Sequence, residues 1–186
     1  KSAALLLAAG VAVGVAVVGL PHGPRPARAA EEPAAIGFGR AATGGCSEAG
    51  CVCLVRTPGD EPRAPGTLRT CLEDRRPRWV RFEQRGVIEL SRPILVVGPK
   101  NIDGRPIKAG DAAVTVTGGG RLLLLRNTGN IVVSDLKFRI DPAKSPPSCA
   151  DPARPRDIRG CGVAILAEGA HDLWIHHNEF SRCGNA

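Results

Sequence analysis

The chain has 186 residues, a length typical of one domain, and its 43% hydrophobic content excludes wholesale disorder. Aromatic residues account for only 3%, so a core must rely on Val, Ile and Leu, which favour strands. The net charge of +7 is mildly basic and compatible with an acidic partner. Methionine is absent, so we expect the translated protein to extend beyond this sequence.

Residues 1–30 have the pattern of a signal peptide. Lys1 gives a positive start, residues 3–20 are apolar, and Ala27-Arg28-Ala29 is a small-x-small cleavage site. A run of this length also suits a transmembrane anchor, but its Ala and Gly content and the cleavage site favour export. We therefore expect a secreted or periplasmic protein with no stable membrane insertion once the signal is removed.

Seven cysteines in an exported chain predict disulfides. Cys149 and Cys161 flank a Pro-rich insertion that a bridge between them would close. Cys71 is placed to join a helix to the cysteine cluster at residues 46–53, which begins with Cys46. We expect the odd cysteine, Cys183, to pair beyond Ala186. Within the cluster, the one-residue gap between Cys51 and Cys53 is shorter than the usual zinc loops, which argues against a zinc site.

The chain divides into three parts. After the signal, residues 31–66 are rich in polar residues, Gly and Pro and predict an N-terminal loop-rich segment. Thr67 then caps a short helix with Leu68, Cys71 and Leu72 on one face, at spacings i, i+3 and i+4. Residues 67–186 predict the N-terminal coils of a truncated repeat structure.

Short apolar runs dominate the last part of the chain, with Gly, Pro, Asn and Asp between them. Apart from the Thr67 helix, no window shows a sustained 3.6-residue period, so the segment is strand-dominated. The runs are residues 79–82, 87–90, 94–97, 114–116, 122–125, 131–133, 163–167 and 173–175.

One internal repeat is visible. Residues 130–138 align with residues 172–180: each copy has a short polar residue, three apolar residues, two polar residues and a final Phe. The coils of a solenoid are strands joined by polar corners, which is the pattern of this repeat. The offset between the two copies is long enough for one large coil or two smaller ones. A β-sandwich is the alternative, but it needs longer strands joined by hairpins. We predict an all-β, right-handed parallel β-helix whose open N-terminal edge is capped by the short helix.

Six segments, in order, carry a family resemblance. They are Pro65-Gly66-Thr67-Leu68-Arg69; Val80-Arg81-Phe82 with Gly86-Val87-Ile88-Glu89-Leu90; Asn101-Ile102-Asp103-Gly104-Arg105; Val114-Thr115-Val116-Thr117 with Gly118-Gly119-Gly120; residues 130–139; and Trp174-Ile175-His176-His177. Together they resemble the family 1 polysaccharide lyases, the pectate lyases and their relatives, over about residues 36–186. The resemblance implies calcium-dependent β-elimination on a polygalacturonate backbone.

The resemblance also shows where this chain departs from its family. A Gly-Asp-Ala-Ile-like stretch commonly supplies a calcium ligand, but here it reads Gly162-Val163-Ala164-Ile165, and Val163 has no donor. Asp157, in the preceding loop, is the candidate substitute. The remaining calcium ligands and the basic Arg are expected beyond Ala186, so no catalytic residue is assigned within the chain.

The motif Trp174-Ile175-His176-His177 also departs from the family pattern. His176 stands where the family usually has Asp. Because adjacent strand residues point to opposite faces, we expect His176 and His177 to form a solvated or hydrogen-bonded corner rather than share a metal ion. Trp174 alternates with His176, and we expect it to lie in the core rather than form a sugar platform.

The sequence therefore predicts a secreted polysaccharide lyase acting on pectate-like polyuronides, assisted by calcium and working as a monomer with no nucleic acid partner. Two alternatives stay open. A non-catalytic β-helix for carbohydrate binding or adhesion is motivated by Val163 and His176. A β-helix glycoside hydrolase would need a close pair of Asp residues at an inner corner.

Overall fold

The computed structural model describes residues 39–46, 49–83, 85–108, 113–145 and 162–183. The predicted signal peptide, Asp157, Cys149 and Cys161 lie outside these ranges. Within them the chain forms one α-helix and twelve strands. In chain order these are β1 (Val52–Val55), α1 (Leu68–Glu73), β2 (Arg78–Phe82), β3 (Val87–Leu90), β4 (Ile94–Leu95), β5 (Lys100–Pro106), β6 (Val114–Gly118), β7 (Arg121–Arg126), β8 (Gly129–Ser134), β9 (Leu136–Ile140), β10 (Val163–Glu168), β11 (His171–His176) and β12 (Glu179–Ser181).

The strands form three parallel sheets, visited in rotation. Sheet A has the order β1-β2-β5-β8-β11, sheet B the order β12-β9-β6-β3, and sheet C the order β10-β7-β4. Each coil contributes one strand to sheet A, then one to sheet B, then one to sheet C. The chain is a right-handed parallel β-helix, as predicted.

The visible repeat corresponds to one coil rather than two. His171 pairs with Gly129 in sheet A, Glu179 with Lys137 in sheet B, and Val163 with Arg121 in sheet C. All three pairs have the same separation, because β10, β11 and β12 follow one another at the same spacings as β7, β8 and β9.

The corners of the repeat share a backbone conformation. Asn130 and Asp172 have φ of 57° and 50°, and Asp135 and His177 have φ of 56° and 51°. Asn and Asp adopt this left-handed region more readily than other non-glycine residues. The short polar residues of the repeat therefore mark where the chain bends.

The core lies between the three sheets. In β3 the burial alternates, with Ile88 and Leu90 buried and Val87 and Glu89 exposed. Phe138 is fully buried and stacks on Phe180 of the next coil, with ring centroids 5.3 Å apart. Such a pair contributes about 0.5–1.5 kcal/mol beyond its area burial. The Phe that closes each copy of the repeat is thus a stacking residue between coils.

Helix α1 caps the first coil, as predicted. The Thr67 side chain accepts a hydrogen bond from the Thr70 N–H, and Leu68, Cys71 and Leu72 are buried. The helix packs against β1, β2 and β4. Its apolar face therefore covers core positions at the N-terminal edge of the solenoid.

Residues 31–66 contain a strand that the sequence analysis did not predict. Val52–Val55 forms β1, which pairs in parallel with β2 and begins sheet A. Disulfides join Cys46 to Cys51 and Cys53 to Cys71, so β1 is bonded covalently to α1. The strand was missed because its cysteines concealed a four-residue run with strand propensity.

Residues 39–46 lie against the outer face of sheet A. The Thr43 N–H and hydroxyl both donate to Asn130 Oδ1, at 2.7 and 3.1 Å. A Cβ at Gly45 would lie 2.5 Å from the Arg78 carbonyl oxygen. This segment therefore needs glycine to approach the sheet so closely.

Arg69 is the centre of the N-terminal cap. Its side chain is 0% exposed and binds Asp60 bidentately, with Nε–Oδ1 and Nη2–Oδ2 distances of 2.8 Å. It also contacts Glu73 at 3.0 Å and donates to two carbonyls of residues 91–93. Burial opposes ionisation of Asp60, but its bonds to Arg69 and the Ser91 hydroxyl and N–H hold its pKa below the usual value. One ion pair thus joins the loop before α1, the helix and the turn after β3.

Lys100 has a comparable role at the start of β5. Its buried ammonium donates to the carbonyls of Asp74 at 2.8 Å, Arg76 at 3.1 Å and Pro99 at 3.3 Å, and also to that of Val97. Burial lowers the pKa of Lys100 to about 8, although the nearby Asp74 carboxylate opposes this. The ammonium fastens the segment that follows α1 to the turn that precedes β5.

Replacing Asp60 by Ala should destabilise the protein by about 3–5 kcal/mol, because the buried Arg69 guanidinium loses its main counter-charge. Thermal or urea unfolding measures the change. Glu61→Ala is the matched control: it removes the same charge from the neighbouring exposed residue and should change stability by less than about 0.5 kcal/mol. Equal losses in both variants would contradict the role given to the ion pair.

The same carboxylate should make stability sensitive to acid. Above its ordinary pKa of 3.8, Asp60 is ionised in both the folded and the unfolded chain, so its contribution is complete. Below 3.8 the unfolded chain takes up the proton first, and the contribution is lost as the pH falls through the lower pKa of the folded state. Thermal unfolding between pH 6 and pH 2 should therefore show a steeper decline for the wild type than for Asp60→Asn. Parallel curves would count against the pair.

Candidate functional site

The outer face of sheet C contains the position where the family resemblance placed a calcium ligand. Val163 begins β10 and pairs with Arg121 of β7. Further along these strands, Leu166 pairs with Leu124, and Leu124 pairs with Leu95 of β4. Leu95 is 43% exposed, and Leu124 and Leu166 are partly exposed, so an aliphatic row crosses this face.

The described residues of this face do not fit a calcium ion. Calcium takes six to eight oxygen ligands, including carboxylates, whereas the face presents Val163, three leucines and the Arg121 guanidinium. No group of three His, Cys, Asp or Glu side chains within the described ranges could hold a metal ion. The proposed substitute, Asp157, lies outside those ranges, so its ligand role stays a prediction.

A groove of about 560 Å³ lies where sheet B turns into sheet C. We call it the B–C groove; its lining includes residues 89–93, residues 119–121 and Lys144. Lys144 is paired with Glu89 across the groove, whereas the Arg121 side chain is partly buried and its Nε has no hydrogen-bond partner. The groove is therefore polar, with net positive charge on its described walls.

The two adjacent histidines form a hydrogen-bonded corner, one of the two forms expected. His176 Nδ1 and His177 Nδ1 are 2.7 Å apart. The reason given for keeping them apart was wrong, however. Strand β11 ends at His176, and the left-handed φ of His177 breaks the alternation that would have sent the two rings to opposite faces. The rings bond to each other, and 2.7 Å is the distance of a hydrogen bond.

Trp174 does not lie in the core, which corrects the sequence expectation. Its neighbours on β11 include Leu173, which packs against the core, so Trp174 lies on the outer face of sheet A. Its ring stacks on His176 with centroids 4.0 Å apart, and the backbone at Gly39 lies over its Cβ. The expectation of a core position rested on the alternation of Trp174 with His176, and alternation does not say which face of the strand is inside.

Strand register also creates a polar row that the sequence analysis missed. Arg81, Asp103, Ser134 and His176 are consecutive partners on β2, β5, β8 and β11. The Asp103 carboxylate forms ion pairs with two arginines: its oxygens lie 2.8 Å from Arg105 Nε and 3.5 Å from Arg81 Nε. Their unequal spacings along the chain gave no periodic signal.

This row does not have the geometry of a nucleophile with its base. The Ser134 hydroxyl is buried and finds no hydrogen-bond partner in the described part of the chain, so it is not bonded to the neighbouring histidine. Asp103 is already occupied by two guanidinium groups. The row therefore contributes one ion pair between coils of sheet A, Arg81 with Asp103.

None of the helical segments in the described ranges is long and apolar enough to cross a bilayer.

Comparisons with known proteins agree on one group of relatives. The chain is 30% identical over 153 residues to putative pectate lyase 2 of Arabidopsis thaliana, covering 80% of this chain and 38% of that protein. It is 31% identical over 156 residues to pectate lyase 1 of Chamaecyparis obtusa, covering 79% and 39%. It is 33% identical over 165 residues to probable pectate lyase 10 of Arabidopsis thaliana, covering 81% and 34%.

A solved structure shows the same architecture. The crystal structure of jun a 1, the major allergen from cedar pollen, superposes with a TM-score of 0.57 at 27% identity. The match covers 77% of this chain and 41% of that one. No family model matches the chain. The chain thus spans about two fifths of the length of the relatives it matches.

The corner that holds the two histidines depends on Asn178, and its removal should be costly. The Asn178 amide donates to the carbonyls of Val133 and His176, both at 2.8 Å, and its Oδ1 accepts from the Leu136 N–H at 3.0 Å. Asn178→Ala should lower the free energy of unfolding by about 1–3 kcal/mol, since these backbone groups lose their partner. Urea unfolding measures it. Glu179→Ala, which removes only an exposed ion pair with Lys137, should cost under about 1 kcal/mol; a similar cost in both variants would contradict the role of Asn178.

Proposed function

We propose that this chain, which belongs to a pectate lyase-like family, forms the N-terminal coils of a secreted polysaccharide lyase. Its substrates would be pectate-like polyuronides, cleaved by calcium-assisted β-elimination. The observation that carries the proposal is the match to curated pectate lyases over about four fifths of this chain, on the same parallel β-helix fold. Export by the segment at residues 1–30 and a monomeric state are parts of the same proposal.

The proposed reaction sets clear electrostatic requirements. A base removes the proton from C5 of a uronate, the electron pair forms a C4–C5 double bond, and the glycosidic oxygen at C4 leaves with a proton. The carboxylate beside C5 must be neutralised for the proton to become acidic, a task that a metal ion performs as a Lewis acid. The described carboxylates do not assemble such a site, so the calcium donors of this proposal lie outside the described residues, with Asp157 the candidate from the preceding loop.

A non-catalytic carbohydrate-binding module is the second candidate. Two observations favour it: Val163 provides no carboxylate beside Arg121, and Asp103, the carboxylate of the polar row on sheet A, is already paired with Arg81. A β-helix without its metal site would keep the scaffold and a surface that binds acidic polymers. Fold alone does not decide between the two functions.

The discriminating experiment follows the ultraviolet absorbance of the unsaturated uronide product. The natural full-length protein is incubated with polygalacturonate, once with calcium and once with chelator, and a neutral galactan is the substrate control. We expect a rise in absorbance with polygalacturonate that requires calcium. If the folded protein binds the polymer but produces no rise in either condition, the lyase proposal is wrong and the binding module replaces it.

A further inference from the structure

Arg121 has an unusual environment for a charged side chain. It is partly buried at the start of β7, its Nε is shielded from solvent, and that atom has no hydrogen-bond partner. Within the described part of the chain, no carboxylate lies within ion-pair distance of its guanidinium. Burying the Nε–H of a guanidinium without a partner is costly, so such groups are normally paired.

The other partly or fully buried arginines of the described ranges follow that rule. Arg69 binds Asp60 and Glu73, Arg78 binds Asp74 at 2.7 Å, and Arg81 lies 3.5 Å from Asp103. On β7 itself, the exposed Arg126 is paired with Glu168 of the next coil. Arg81 Nε is also buried without a hydrogen bond, but it lies near the Asp103 carboxylate. Among the partly or fully buried arginines of the described ranges, Arg121 is the one with no carboxylate within ion-pair distance.

The surroundings of Arg121 determine what ligand fits. The side chain lines the B–C groove, whose volume of about 560 Å³ is large enough for a sugar ring. Arg92 adds a second cationic side chain to the wall, while Glu89 is neutralised by Lys144. On the neighbouring strand Val163 presents no charge, and the aliphatic row formed by Leu95, Leu124 and Leu166 crosses the same three strands further along. An anion with an attached apolar surface suits this arrangement.

We propose that Arg121 binds the carboxylate of a hexuronate residue directly, as the anchor of a subsite in the B–C groove that needs no calcium. The planar guanidinium matches a carboxylate with two parallel hydrogen bonds, and the partial burial of the site strengthens them. The aliphatic row would accept the apolar face of the next sugar ring. This inference rests on the proposed function for its substrate class, since a polyuronide carries one such carboxylate on each ring.

The test compares two arginines of the same strand. Binding of a galacturonic acid oligomer to the natural full-length protein is measured by calorimetry in the presence of chelator. Arg121→Met should weaken binding about tenfold to hundredfold, the range for a hydrogen-bonded charge pair. Arg126→Met removes the same charge from an exposed position already paired with Glu168, and should bind as the wild type does. A methyl-esterified oligomer should bind the wild type as weakly as it binds Arg121→Met.

A second measurement guards against loss of folding. Because the buried Nε–H without a partner is a cost to the unliganded protein, Arg121→Met should unfold at the same temperature as the wild type or higher. Equal weakening by both substitutions would indicate general charge attraction and overturn the subsite, and so would wild-type binding that requires calcium.

These failures are separable from failure of the lyase proposal. If the protein cleaves polygalacturonate with calcium but binds it normally after Arg121→Met, the subsite is wrong and the lyase proposal stands. If Arg121 governs binding but no unsaturated product forms, the subsite stands and the lyase proposal is wrong.

Discussion

Parallel pairing between successive coils determines the position of nearly every side chain in this molecule. Because each strand pairs in register with the same sheet of the coils on either side, residues far apart in sequence become lateral neighbours. Arg121 lies beside Val163, and Asp103 beside Ser134, for this reason alone. The pairing also leaves unpaired strand edges at the start of the solenoid, which must be covered for the stack to be stable. Both the candidate site and the N-terminal cap follow from this one constraint.

The N-terminal cap shows how much of the structure local sequence patterns can predict. The spacing of Leu68, Cys71 and Leu72 predicted α1 and its buried face correctly, because the apolar residues of an amphipathic helix mark the face that packs against the core. The same pattern assigns Arg69 to a polar face, yet Arg69 is fully buried. Its burial depends on the loop that brings Asp60 over the helix, and that loop carries no periodic signal. Tertiary contacts of this kind are outside the reach of a helical pattern.

The solenoid itself could be predicted because one coil repeats the next residue for residue, from Asn130 and Asp172 to the stacked Phe138 and Phe180. Earlier coils gave no such alignment, since their loops differ in length and the register of β2 with β5 shifts between Arg81 and Phe82. The rows on the outer faces were therefore invisible in the sequence. Alternation also does not say which face of a strand is inside, so Trp174 was assigned to the core although residues 39–46 cover it from the outer side.

The departures from the family pattern on sheet C acquire a physical meaning once the register is known. Val163 by itself reads as the loss of a metal ligand. Beside Arg121, it leaves that guanidinium without a carboxylate at the paired position of the next strand. A carboxylate at residue 163 would attract a cation and neutralise Arg121 at the same time, whereas valine leaves the guanidinium available to an external anion. The two positions are best understood as one unit: β10 has no negative charge beside the positive charge on β7, as the direct binding of an acidic sugar that we propose requires.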